Sequence, residues 1–173
     1  MSAIKQLVIV STIFQIVWFM AVLGRETWQW FTLATIAVIL LITAVRCQFR
    51  WRVWLLLIIV GVSVDVLNIV FGVLVFDTTF FPLWLLGLWV TFFWYAQFLA
   101  PVLSQYPLPL VSIIGGVAGA VSYVAGYKLG AVTLGLSSVL AFVVFFIEWT
   151  LLVALIMKVV NREGKNHGKD SMA

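Results

Sequence analysis

Long apolar runs alternate with short polar breaks along this chain, and the runs have the length of membrane-crossing helices. A helix needs about 20 mostly apolar residues to cross the hydrocarbon core of a bilayer. Six stretches approach or meet that length: residues 6–23, 30–45, 53–76, 83–103, 108–127 and 136–157. The second is short and borrows a turn from its flanks. Between the runs lie "GRETWQ", "RCQFRWR", "DTTFFP", "SQYPLP" and "KLGAVTLG", which carry loop chemistry. Pro82, Pro107 and Pro109 fall at helix entrances, where a missing N–H does no harm. The pattern predicts an all-α polytopic fold: six transmembrane helices over residues 1–157, then a polar, basic tail over 158–173. Gln15 and Trp18 interrupt the first run and no convincing cleavage site follows it, so it reads as a retained helix.

Composition moves the same way. The 173 residues are 65% hydrophobic and 9% charged, against roughly 45–50% and 25% in a soluble domain. A soluble fold of this size could not hide so much apolar surface, so lipid is the expected solvent. Placement of the cations sets a direction. With the N-terminus cytoplasmic, Lys5, Arg46, Arg50, Arg52, Lys158, Arg162, Lys165 and Lys169 lie inside, and Arg25 and Lys128 outside. Both termini are therefore expected in the cytoplasm, with the tail a mobile lysine-rich extension near the lipid surface. The pI near 9.5 reflects those loop and tail cations, which suit membrane lipids as partners, and no nucleic-acid-binding element is present in the sequence. Trp28, Trp30, Trp51, Trp54 and Trp84 near span ends read as interfacial anchors. Trp18, Trp89, Trp94 and Trp149 lie deeper and are expected either to pack or to wall a cavity for an apolar ligand.

Polar residues inside the runs carry the candidate chemistry. Asp65 lies roughly 18 Å past Val53 at 1.5 Å per residue, near mid-depth, and Glu148 lies as far into the sixth run. An acid there costs about 3 kcal/mol on insertion scales, so each must face protein or water, or carry a proton. Gly61, Asp65, Asn68 and Gly72 share one helical stripe, as do Ser138, Ala141, Phe145 and Glu148. Substrate-binding or proton-exchange candidates are thus Asp65, Asn68 and Glu148, with Gln15, Gln97, Trp94 and Tyr123 as further members. The plain alternative is that the acids are hydrogen-bonding struts between helices, worth about 0.6–2 kcal/mol each. The fifth run repeats small residues every four positions, and Gly115, Gly116, Gly119 and Gly126 read as helix-packing positions, either within the bundle or in a homo-oligomer. The single histidine, His167, lies in the tail, and there is no Walker A loop, dinucleotide fingerprint or CxxC pair. No metal site and no cofactor are expected. No internal repeat stands out in the sequence.

Asp65 in its glycine-flanked helix, then "FPLWLLGLWVTF", "GGVAGAVSYVAGYKLGA" and the Glu148–Trp149 pair, resemble a bacterial inner-membrane family defined only as a domain of unknown function. The likeness covers nearly the whole chain. Where the family pattern has glycine and proline before the tyrosine of the fifth run, this chain has Ala120, Val121 and Ser122, so a kink there is not required. The resemblance implies a small multi-pass protein of the cell inner membrane with no established activity. An association of the family with fatty-acid-modifying enzymes brings lipid handling forward. Three functions are carried from here: a protein that binds or carries a lipid-like or apolar molecule around the acidic pair; a non-catalytic subunit that docks a partner membrane-associated enzyme through the fifth helix; and an intramembrane lipid-modifying enzyme that uses the two carboxylates as acid and base. Whether the chain is an enzyme is left open by its residues.

Overall fold

The computed structural model describes residues 3–47, 49–78 and 80–170 of the chain. Among these, five helices and two short strands follow in order: α1 (Ala3–Arg46), α2 (Trp51–Val70), β1 (Leu74–Val75), α3 (Leu83–Leu103), α4 (Leu108–Lys128), β2 (Thr133–Leu134) and α5 (Ser138–Asp170). All five helices are long and apolar enough to cross a membrane. Their outward faces remain apolar, with Ile4, Val45, Val70 and Val139 between 72% and 85% exposed. Such a surface suits acyl chains and not water, which makes this a multi-pass membrane protein.

The first two predicted runs are one assigned helix, α1, of 44 residues with a single non-helical residue, Arg25, at φ 44° and ψ −131°. That one residue reverses the chain. Ser11 Oγ donates to Tyr95 Oη at 3.2 Å, and Trp94 Nε1 donates to Thr43 Oγ1 at 2.9 Å. In a straight helix Ser11 and Thr43 would be about 48 Å apart, yet they bond adjacent residues of α3. The two halves of α1 therefore double back at Arg25 and lie along the same helix. At the apex Trp84 Nε1 donates to Glu26 Oε1 at 3.0 Å, and Arg25 Nη1 donates to the Gly130 carbonyl at 2.7 Å. Trp84 is thus buried, 3% exposed, and is not the interfacial anchor its position suggested.

The third predicted run extended to Phe76, but α2 stops at Val70. Gly72 adopts φ 69°, a left-handed conformation open to glycine at little cost. The N–H of Gly72 then bonds the Ile69 carbonyl at 3.0 Å, and that of Val73 bonds the Asn68 carbonyl at 2.8 Å. These two bonds close the helix by satisfying its last carbonyls. The same pair recurs at the end of α4. There Gly130 has φ 73°, its N–H bonds Tyr127, and the Ala131 N–H bonds Gly126 at 2.9 Å. Each terminus delivers the chain into a strand, and β1 and β2 pair antiparallel through Leu74↔Leu134 and Val75↔Thr133. The apolar residues of the two strands had read as helix end and loop.

An internal correspondence follows. The same 58 residues separate Gly61 from Gly119, Asp65 from Tyr123, and Gly72 from Gly130. Periodicity within single runs does not display it, because most other residues differ.

The main core lies between α2, α3 and α5, where Leu57, Trp89, Phe93, Leu152 and Ile156 pack together. At the end of α2 opposite the strands, Gln97 clamps the α1–α2 connection. Its Oε1 accepts from the Arg50 N–H at 3.3 Å and its Nε2 donates to the Arg50 carbonyl at 3.2 Å. Arg50 Nη1 in turn donates to the Val160 carbonyl at 2.9 Å. Beyond Met157 the helix continues to Asp170, so most of the expected tail extends α5 instead of forming a separate extension. Residues 171–173 and the side chains of Arg162, Lys165, His167 and Lys169 lie outside the described residues.

Candidate functional site

Asp65 sits near the strand end of α2, five residues before its last residue, and is completely buried at 0% exposure. With α2 ending at Val70, Asp65 lies roughly 7 Å beyond the helix midpoint, a correction to its expected mid-depth. Each carboxylate oxygen accepts one hydrogen bond. Trp89 Nε1 of α3 donates to Oδ2 at 2.7 Å, and Tyr123 Oη of α4 donates to Oδ1 at 2.6 Å. One acid thus joins three helices.

Its neighbours are shaped for this. A Cβ on Gly61, one turn before Asp65, would lie 2.5 Å from Trp89 Cε3, so the bare backbone makes room for the indole that reaches the carboxylate. Trp89 stacks on Trp149 with centroids 5.6 Å apart and planes 11° from parallel, and Phe93 covers its other side at 5.4 Å. Tyr123 stacks on the fully buried Phe145 at 4.4 Å. Gly119 repeats the device of Gly61, leaving room for the Trp149 ring.

Asn68, one turn after Asp65 and 3% exposed, donates through Nδ2 to Glu148 Oε2 at 2.9 Å. Glu148 is half-buried. Asp65 and Asn68 share one face of α2, so Glu148 of α5 is tied through Asn68 to the turn beside Asp65. The remaining sequence candidates lie elsewhere. Gln15 is exposed on α1. Trp94 is buried on the α1 side of α3, bonded to Thr43, and Gln97 is spent on the α1–α2 connection. Helical spacing puts Trp94 and Gln97 on one face of α3 but does not tell which neighbour that face meets. Trp89 and Trp149 were ambiguous in sequence and prove central. The available signal was their spacing from the acids, with Trp149 adjacent to Glu148.

On α4, Gly115 faces Val153, Gly116 faces Thr150 and Phe146, and Gly119 faces Trp149. This small-residue surface is used within the chain, to seat α5. Gly126 is different, since no atom lies within 4 Å of where its Cβ would be. It borders a cavity of about 80 Å³ whose walls include Trp18, Trp84, Trp89, Tyr123 and Trp149. A larger cavity of about 560 Å³ runs from Tyr106 and Leu110 up to Ser122. Phe14, Phe92, Ser122 and Trp149 border both. Ser122, which borders both, accepts from Trp18 Nε1 at 3.0 Å. No charged side chain lines either space.

An all-helical membrane protein with a buried acid holding an indole and a phenol against an aromatic cavity is the class these features define. The chain belongs to the family DUF2878, proteins of unknown function, whose model matches residues 7–155. Neither the curated proteins nor the solved structures provide a match.

Proposed function

We propose that this protein binds or carries a lipid-like or apolar molecule in the paired cavities, beside the polar cluster of Asp65, Tyr123, Trp89, Asn68 and Glu148. One observation carries the reading: the two side chains that Asp65 holds, Trp89 and Tyr123, are themselves walls of the aromatic cavity. The acid then serves as a positioning residue, fixing the ring edges against which the ligand rests. Cavities of roughly 300–1,000 Å³ with mostly apolar walls and a few oriented polar groups are the usual form of small-molecule sites. Tryptophan reports on such a site directly. An acyl chain brominated near its end should quench the intrinsic fluorescence of the purified protein saturably, and an unbrominated chain should compete. Tyr123→Phe, which removes the hydroxyl and keeps the ring, should retain binding but shift its affinity. Fluorescence unaffected by brominated chains at any concentration would sink the reading.

In this reading the chain crosses a bacterial inner membrane six times, α1 supplying two crossings about its reversal at Arg25. The contacts support this count and the orientation. Arg25 meets Gly130 near Lys128, so both cations assigned outside share the strand end, whereas Arg50 meets Val160 beside Lys158 at the opposite end. Cysteine accessibility checks it. In a Cys47→Ser background, Lys128→Cys should react with a membrane-impermeant thiol reagent added to intact cells, and Lys158→Cys should react only after permeabilisation. The reverse pattern would invert the topology, and identical labelling of both sites would refute it.

A further inference from the structure

We infer that Gly126 sets the length of the ligand, which is a single unbranched apolar chain lying along α4 with its terminal methyl in the small aromatic cavity. This rests on the binding reading above and goes further by naming ligand shape and the residue that limits it. Leu110 borders the large cavity and Gly126 the small one, so the combined path follows α4 for roughly 24 Å. Its two parts share Phe14, Phe92, Ser122 and Trp149 as walls, with the Trp18–Ser122 hydrogen bond beside the join. The end cavity, about 80 Å³, has room for the end of one chain and not for a ring system or a branched pair. No charged side chain borders the path, so the recognised portion carries no charge and a head group stays beyond the Tyr106 end. The path stops at the wall made by Trp84 and Ala131, and beside that wall Gly126 leaves the volume a side chain would fill.

The test uses the full chain in nanodiscs and two homologous series as probes, straight-chain alcohols and straight-chain fatty acids, each competing with a brominated acyl probe. In the wild type, affinity should rise about fourfold for each added methylene that becomes buried, then level off at a fixed length shared by both series. Gly126→Leu builds into the small cavity from a Cβ that has open space around it. It should move that plateau to shorter chains, weakening the longest chains by about tenfold or more while leaving short ones unchanged. Gly126→Ala should give a smaller displacement in the same direction, which keeps the inference testable should the leucine variant fold poorly. An unaltered plateau in both variants overturns the assignment to Gly126 and leaves the binding reading standing. A plateau that differs between alcohols and acids in the wild type overturns the uncharged-chain assignment. A wild type that binds neither series overturns the binding reading and this inference together.

Discussion

Asp65→Ala is expected to destabilise the protein by about 2–6 kcal/mol, because two buried donors lose their acceptor and each costs about 1–3 kcal/mol when left unpaired. Trp89 is a pure donor through its indole N–H, is buried at 3% exposure, and bonds no acceptor besides Asp65 among the described residues. Tyr123 has more freedom, since its hydroxyl can rotate. Asp65→Asn separates structure from chemistry. Its amide oxygen can still accept from Trp89, and its NH₂ can donate to the Tyr123 oxygen, so both contacts survive with one reversed. Heating in detergent followed by size-exclusion recovery should show a large fall in midpoint for Asp65→Ala and a small one for Asp65→Asn. Ligand quenching measured on the folded asparagine variant then asks whether a negative charge is needed behind the aromatic wall. Should Asp65→Ala melt like the wild type, the acid does not organise these helices.

The second large effect is expected at Gly119. Any Cβ there overlaps the Trp149 indole, which is stacked on Trp89 and bordered by Phe92 at 4.9 Å. Gly119→Val forces α4 away from α5 or turns Trp149 out of its stack. Overpacking of this kind costs about 1–3 kcal/mol, and more where the obstructing group is rigid. Because Trp149 walls both cavities, the folded remainder should also lose saturable quenching. Gly126→Ala, seven residues further along the same helix, should leave stability unchanged. A valine tolerated at Gly119 with binding intact would show that the tryptophan stack can rearrange freely.

Much of this was legible in the sequence, for identifiable reasons. Apolar length gave the helices, because a span has to match the hydrocarbon thickness. The Asp65–Asn68 stripe and Tyr123 were readable since polar groups in an apolar run stand out and helical spacing assigns their face. The face alone says nothing of what lies opposite. Gln15 and Gln97 were therefore grouped with the acids, although one points outward and the other holds the α1–α2 connection. Trp89 stays undecided between packing and walling a cavity, because a mid-helix tryptophan serves both equally well. Gly72 decides where α2 ends, but it lies in an apolar stretch that reads as continuous, whereas Gly130 falls in the expected break "KLGAVTLG". The break at Arg25 was foreseen as a loop, and the chain accomplishes it with one non-helical residue inside an assigned helix.

The two-residue ladder between β1 and β2 has a mechanical result. Leu74, Val75, Thr133 and Leu134 stitch the α2–α3 hairpin to the α4–α5 hairpin at one rim, reinforced by the Gly135 N–H to Val73 carbonyl bond at 3.1 Å. Main-chain bonds make this tie, so it does not depend on which side chains the two strands carry. At the opposite tips, where Tyr106 and Leu110 border the large cavity, the Arg50–Val160 bond is the matching tie, so the two hairpins are fastened to each other at both ends.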